Sequence, residues 1–126
     1  MLTAGYSPDA DEVDQFSRSL SVSGYNNLEE MLTEEKPDIV SICSPHEFHA
    51  EQLEICFNYK VPMIWIEKPV SNSVSEVEKL ENFRKKMSQP STVLVNFQRR
   101  YTESYQKLKQ LLKGNIYGHT LSVEVH

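Results

Sequence analysis

Val61-Pro-Met-Ile-Trp-Ile-Glu-Lys-Pro-Val70 decides how the rest of this chain reads. An apolar run rich in β-formers ends in two opposite charges and a proline. Met63, Ile64, Trp65 and Ile66 predict a strand buried on both faces, because no polar residue among them marks a wet face. Glu67 and Lys68 then fall where the strand leaves its sheet. Open parallel sheets bind ligands outside the carboxyl ends of their strands, so these two charges stand where chemistry would be. An ordinary strand exit would carry charges as well.

Just upstream, Asp38-Ile-Val-Ser-Ile-Cys43 reads as a second, nearly all-apolar strand. Ser44-Pro45 turns the chain into a helix carrying Phe48, Leu53, Cys56 and Phe57, which leads into the opening stretch. Further back, Leu2 to Tyr6 forms a short strand. Ser7 then caps a helix with Pro8 at its first position and Val13, Phe16 and Leu20 along one stripe. Ser21 to Tyr25 reads as an extended link. Asn26 or Asn27 caps a second helix with Leu28, Met31 and Leu32 inward, and Pro37 stops it.

Downstream, Ser73 and Glu76 suit a capping box for a helix with Val77, Leu80 and Phe83 inward. Arg84, Lys85 and Lys86 complement the negative end of its dipole. Thr92 to Phe97 is another strand. Tyr101 to Lys113 is an amphipathic helix with Tyr105, Leu108, Leu111 and Leu112 inward, and Gly114 can end it. From Thr120 to Val125 apolar and polar residues alternate strictly, which predicts a strand with one buried face. Short buried strands alternating with amphipathic helices specify an α/β fold with a parallel sheet and right-handed crossovers. The final alternating strand differs in kind and predicts the opening of a second, α+β domain.

The 126 residues carry a net charge of −5 and offer no basic stripe to phosphates, so neither a nucleic acid nor a membrane is an expected partner. No apolar stretch reaches the length of a membrane span, and the first residues do not pattern as a signal peptide. Cys43 and Cys56 read as buried, unpaired core residues of a reducing compartment, which predicts a cytoplasmic location. His46 and His49 stand three apart at a helix start, yet no third ligand accompanies them, so no metal site is expected.

The ordered set Asp38-Ile-Val-Ser-Ile-Cys-Ser-Pro-His-Glu-Phe-His49, helix, Ile66-Glu-Lys-Pro69, Asn96-Phe-Gln-Arg-Arg-Tyr101 and Lys113-Gly-Asn-Ile-Tyr-Gly118 resembles the glucose–fructose oxidoreductase/inositol dehydrogenase (Gfo/Idh/MocA) family. The resemblance implies a Rossmann-like NAD(P)-binding domain over residues 1–98 that lacks its first βα unit. The start of a substrate and oligomerisation domain would follow over 99–126. It further implies an oxidoreductase that transfers a hydride between nicotinamide and a sugar, polyol or similar hydroxy compound.

Carried across residue by residue, Ser44 and Pro45 would lie against the cofactor and Glu67 would bind the nicotinamide-side ribose. Lys68 would face the reacting carbon and its oxygen as the catalytic residue, and the Lys68–Pro69 bond would be cis. His49 would stand beside the nicotinamide pocket, or be a helix-start histidine bonded to backbone. Arg100 is the candidate for a cofactor phosphate or an acidic substrate group, with solvation of a strand exit as the plainer reading for both Arg99 and Arg100. Asn96 would orient an amide or hydroxyl, or satisfy loop backbone. Tyr101 and Tyr105 would pack between the domains.

Three departures from the family pattern carry expectations of their own. The four glycines form no Gly-x-Gly-x-x-Gly turn, so the usual pyrophosphate cradle is not encoded in these residues. Ser7 stands where the family usually has an acid for the adenosine ribose, which tilts the expected cofactor from NAD toward NADP. The family's catalytic Asp and His would lie beyond His126. By itself the chain is expected to be inactive, and the competing reading is a non-catalytic module for ligand binding or assembly. In the strand order of this fold the missing strand is the central one, so Leu2–Tyr6 and Asp38–Cys43 would each expose an edge. Either the sheet closes up, or the chain belongs to a longer protein, or another copy fills the gap; self-association is therefore expected.

Overall fold

The computed structural model describes residues 1–114, 118, 119, 121 and 122. The chain forms two compact units, Met1–Asn96 and Phe97–His126. The first holds strands β1 (Ala4–Tyr6), β2 (Ser23–Tyr25), β3 (Ile39–Ile42), β4 (Met63–Glu67) and β5 (Thr92–Asn96). Its helices are α1 (Ala10–Leu20), α2 (Leu28–Glu35), α3 (His49–Asn58) and α4 (Val74–Lys86). A 3-10 turn, His46–Phe48, precedes α3.

Every strand pairing is parallel. β1 pairs with β2, and β3-β4-β5 form a separate sheet with β4 at its centre. Among the described residues β1 and β3 do not pair, so the sheet stays in two pieces and does not close up. Ser21–Tyr25 is more than the extended link its sequence suggested. Ser21 leaves α1 in a left-handed conformation, and Ser23, Gly24 and Tyr25 register against Ala4, Gly5 and Tyr6.

Two glycines let α1 lie close on this pair. A Cβ on Gly5 would stand 2.5 Å from the Phe16 ring, and one on Gly24 would stand 2.6 Å from Val13 Cγ1 and 3.1 Å from Ser17 Cβ. Helix α1 starts two residues later than its sequence suggested. Asp9 is the cap and accepts from the amides of Asp11 and Glu12, which leaves Pro8 outside the helix and frees the Ser7 hydroxyl for other partners. Asn27 caps α2 through the Glu30 amide, while Asn26 donates to the Ser7 carbonyl. The capping box at α4 is also displaced. Ser73 sits at the cap position with its hydroxyl on that of Ser75 and not on a helix amide, and Ser71 accepts from its amide while donating to Glu76.

The core lies on one side of the β3-β4-β5 sheet. Val40, Ile42, Ile64 and Ile66 meet Leu28, Met31, Leu32, Leu53, Cys56, Phe57, Val61 and Leu80 from the helices and the β4 approach, with Tyr6 and Tyr25 packed at its edge. Phe83 of α4 stacks on Phe57 of α3 with ring centroids 6.1 Å apart, and Lys79 pairs with Glu54 at 2.8 Å between the same helices.

The expectation that β4 is buried on both faces fails. Ile64 and Ile66 are fully buried, but Met63 is exposed and Trp65 half-buried, on the face they share with Ile39 and Leu94. Apolar residues on both sides of a strand show what each face favours, not that a covering layer exists. Cys43 is corrected for the same reason. It follows Ile39 and Ser41 in period two onto the open face and is exposed, whereas Cys56 is buried and its thiol is pushed up to about 12 by desolvation.

The second unit begins with a 3-10 turn, Gln98–Tyr101, followed by α5 (Glu103–Gly114). Tyr105, Leu108, Leu111 and Leu112 do line one stripe, but none is buried. Within the unit the described residues set only the 3-10 turn against this helix, so its stripe has no layer to enter. The strand expected over Thr120–Val125 lies outside the described residues except for Leu121 and Ser122, which are irregular.

Candidate functional site

The parallel register brings the carboxyl ends of β3, β4 and β5 to one edge of the sheet. Ile42 stands opposite Ile66, Ile66 opposite Val95, and Glu67 opposite Asn96. Ser44-Pro45 therefore leaves β3 beside the point where Glu67-Lys68-Pro69 leaves β4.

Glu67 is half-buried, and its Oε1 accepts from Asn96 Nδ2 at 2.5 Å. Among the described residues its Oε2 has no hydrogen-bond partner. Lys68 is exposed and enters no ion pair among the described residues. The Lys68–Pro69 bond is cis, as the sequence resemblance implied.

Ser44 donates from its hydroxyl to Gln52 Oε1 at 2.7 Å. His49 is buried, with Nδ1 at 2.7 Å from the Pro69 carbonyl oxygen and Nε2 at 2.8 Å from that of Ser44. Both ring nitrogens are thus turned to backbone carbonyls. His46, its neighbour by sequence, stands 3.6 Å from Glu47 in solvent. No group of three metal-binding side chains assembles among the described residues.

Ser7 lies at the carboxyl end of β1, in the other sheet. Its Oγ donates to Glu12 Oε2 at 2.7 Å and accepts from the Asp9 amide at 3.2 Å. Glu12 comes from the first turn of α1, and its pairing with Ser7 is one that single-residue reading missed and that their five-residue separation across a helix start could have suggested. Gln52 was missed as well. It lies eight residues beyond Ser44, on the first turn of α3. Arg100 belongs to the second unit, in its 3-10 turn, where its carbonyl accepts from Gln106 and its guanidinium is exposed.

With this geometry in view, the profile of an oxidoreductase family with an NAD-binding Rossmann fold, Gfo/Idh/MocA, matches residues 1–97. The chain belongs to this family. An inositol 2-dehydrogenase of Mycolicibacterium gilvum is 32% identical over 84 residues, which are 67% of this chain and 24% of that protein. A myo-inositol 2-dehydrogenase of Thermotoga maritima is 25% identical over 109 residues, 86% of this chain and 32% of that protein. Among solved structures, a scyllo-inositol dehydrogenase from Lactobacillus casei with bound NAD(H) and scyllo-inositol superposes with a TM-score of 0.80 at 26% identity. That match covers 90% of this chain and 33% of the other. The chain thus spans about a quarter to a third of the relatives it matches.

As a Gfo/Idh/MocA chain it can be tested against the nicotinamide cofactor that its family binds. The free Glu67 Oε2, beside an oxygen already held by Asn96, has the acceptor chemistry that a vicinal diol requires. The residues at the β3 and β4 exits fit the nicotinamide-side half of a dinucleotide. Gly5, Gly24, Gly114 and Gly118 supply no backbone cradle of the Gly-x-Gly-x-x-Gly kind for a pyrophosphate.

Proposed function

We propose that this chain is the nicotinamide-facing part of an NAD-dependent oxidoreductase that acts on a secondary hydroxyl of a polyol or sugar. The observation that carries the reading is the pair at the end of β4: Glu67 anchored through one oxygen by Asn96, and Lys68 next to it with no partner among the described residues. Glu67 binds the nicotinamide-side ribose through its free oxygen. Ser44 and Pro45 form the neighbouring wall, and Arg100 meets a phosphate or an acidic substrate group. Bound nicotinamide supplies the hydride chemistry. Lys68 Nζ does the rest that this chain can do: it hydrogen-bonds the substrate oxygen, steadies alkoxide character there, and exchanges the hydroxyl proton with it. The substrate class is supported by the inositol dehydrogenases to which the chain is similar.

NAD is favoured over NADP. A neutral Ser7 alone would tolerate a 2′-phosphate, but its hydroxyl is donated to the Glu12 carboxylate. That carboxylate repels a phosphate and suits a ribose hydroxyl.

Trp65 precedes Glu67 by two residues and is the only tryptophan. Titration of the chain with NADH and NADPH, followed by energy transfer from Trp65 to the dihydronicotinamide, tests the reading. Saturable transfer with NADH, weaker with NADPH and lost in Glu67→Ala, is the expected result. No transfer from either cofactor would instead favour the non-catalytic module, the reading on which the two-piece sheet among the described residues serves ligand binding or assembly. Lys68→Ala should leave the transfer in place and remove turnover in the whole protein.

A further inference from the structure

His49 is the first residue of α3, is 1% exposed, and makes two hydrogen bonds with backbone that is remote in sequence. Its Nδ1 lies 2.7 Å from the Pro69 carbonyl oxygen, twenty residues away, and its Nε2 lies 2.8 Å from the Ser44 carbonyl oxygen, five residues away. A carbonyl only accepts. A neutral imidazole has one N–H, so its second nitrogen would turn a lone pair toward an oxygen lone pair at contact distance, with no water admitted between them. Donation at both ends requires a proton on each nitrogen. The two carbonyls belong to the turns that leave β3 and β4, the same turns that carry Ser44–Pro45 and Lys68.

We propose that His49 is a positioning residue, an imidazolium clamp that locks the Ser44–Pro45 turn to the Lys68–Pro69 turn by donating to both at once. The clamp sets the distance between the wall of the pocket and the reacting lysine, and it does so without touching cofactor or substrate. The positive end of α3 and burial both oppose a cation here, and a charge-assisted hydrogen bond at each nitrogen offsets them. No other side chain in the set substitutes for it. Glutamine or asparagine donates from a single nitrogen, and cannot reach carbonyls on opposite sides of a ring.

The functional weight of the clamp rests on the reading of Lys68 as the reacting group; its geometry does not. Two measurements on the full 126-residue chain test the geometry without cofactor. In the first, the ring nitrogens of His49 are observed by nitrogen-15 NMR at neutral pH, assigned by their loss in His49→Gln. Two protonated nitrogens are expected, and one bare nitrogen would overturn the clamp. In the second, amide hydrogen exchange compares wild type with His49→Gln. The segments 44–48 and 67–71 should speed up together, by about tenfold or more, while β3 and β4 keep their protection. A uniform loss across the sheet, or a change in one turn only, contradicts the proposal. Should the variant fail to fold, the His49 signals are assigned by elimination with His46→Gln, His119→Gln and His126→Gln, and they decide alone. A third arm, NADH energy transfer from Trp65, separates the two readings: its absence in wild type refutes the cofactor site, while the nitrogen signals still decide the clamp.

Discussion

Asn96 donates to Glu67 at 2.5 Å across the β4–β5 pairing, where the register sets the two residues directly opposite each other. The bond fixes one carboxylate oxygen and turns the other outward at the sheet edge. Removing the amide frees the carboxylate to rotate, so a ribose must order it on binding. Asn96→Ala is expected to weaken NADH binding by roughly tenfold, about 1.4 kcal/mol, with little change in the urea midpoint. Asn96→Asp should weaken it further, because two carboxylates then face each other at contact distance. Titration by Trp65 energy transfer reads both, and equal affinity in wild type and Asn96→Asp would remove Asn96 from the site.

The close approach of α1 to the β1–β2 pair gives a prediction about stability alone. A Cβ at residue 24 meets Val13 and Ser17, both on the buried side of α1, and neither contact is the loose end of a long side chain. The helix must lift or the strand must bend. Gly24→Ala is expected to cost about 1–3 kcal/mol, seen as a lower urea midpoint with an unchanged denaturant slope. Gly5→Ala should cost less. Its obstacle is the half-exposed Phe16 ring, which can swing aside.

The open face of the β3-β4-β5 sheet carries an expectation about assembly. Ile39 is 58% exposed and Leu94 41%, with Met63 between them. The β3 edge beside them has no strand partner among the described residues. Apolar surface next to an unpaired edge recruits other chains. Sedimentation should show a mass above that of the monomer as concentration rises, and Leu94→Lys should shift it toward the monomer. A wild-type chain that stays monomeric at high concentration removes the expectation.

What the sequence made legible follows from how local each cause is. The runs Ile39–Ile42, Met63–Glu67 and Thr92–Asn96 declare themselves through β-branched and apolar residues between turn signals, α2 through its cap and stripe, and α3 through its apolar residues after the Ser44-Pro45 turn. The exit of β4 at Glu67-Lys68 was readable for the same reason. Strand β2 was not, because Ser-Gly-Tyr has little strand character and is held by pairing with β1, a contact no local pattern encodes. Ser7 and Asp9 are both good caps, and only the path of the backbone chooses Asp9. The bonds that bear on the site, Asn96 with Glu67, His49 with Ser44 and Pro69, and Ser7 with Glu12, join residues up to twenty-nine apart. Their residue types were visible as candidates, but their partners come from the register of the sheet.

Cys56 gives the molecule a dependence on alkaline pH. Its thiol lies in the core between α3 and the sheet, and burial pushes it from an ordinary value of 9.0 up to about 12. Between those values the unfolded chain has released this proton and the folded chain still holds it. The folded state therefore binds more protons, and stability that is complete below pH 9 falls as pH rises toward 12, by at most about 1.4 kcal/mol per pH unit. Tyr25 acts in the same sense over a higher window. Its hydroxyl donates to Glu35 and Glu34, and together with some burial these raise it from 10.0 to about 12. Thermal unfolding of wild type should drop in midpoint steadily above pH 9. Cys56→Ala should begin lower at neutral pH, because it leaves a small void, yet lose less between pH 9 and the onset of Tyr25 ionisation. Parallel curves for the two proteins would mean that the thiol is not what titrates.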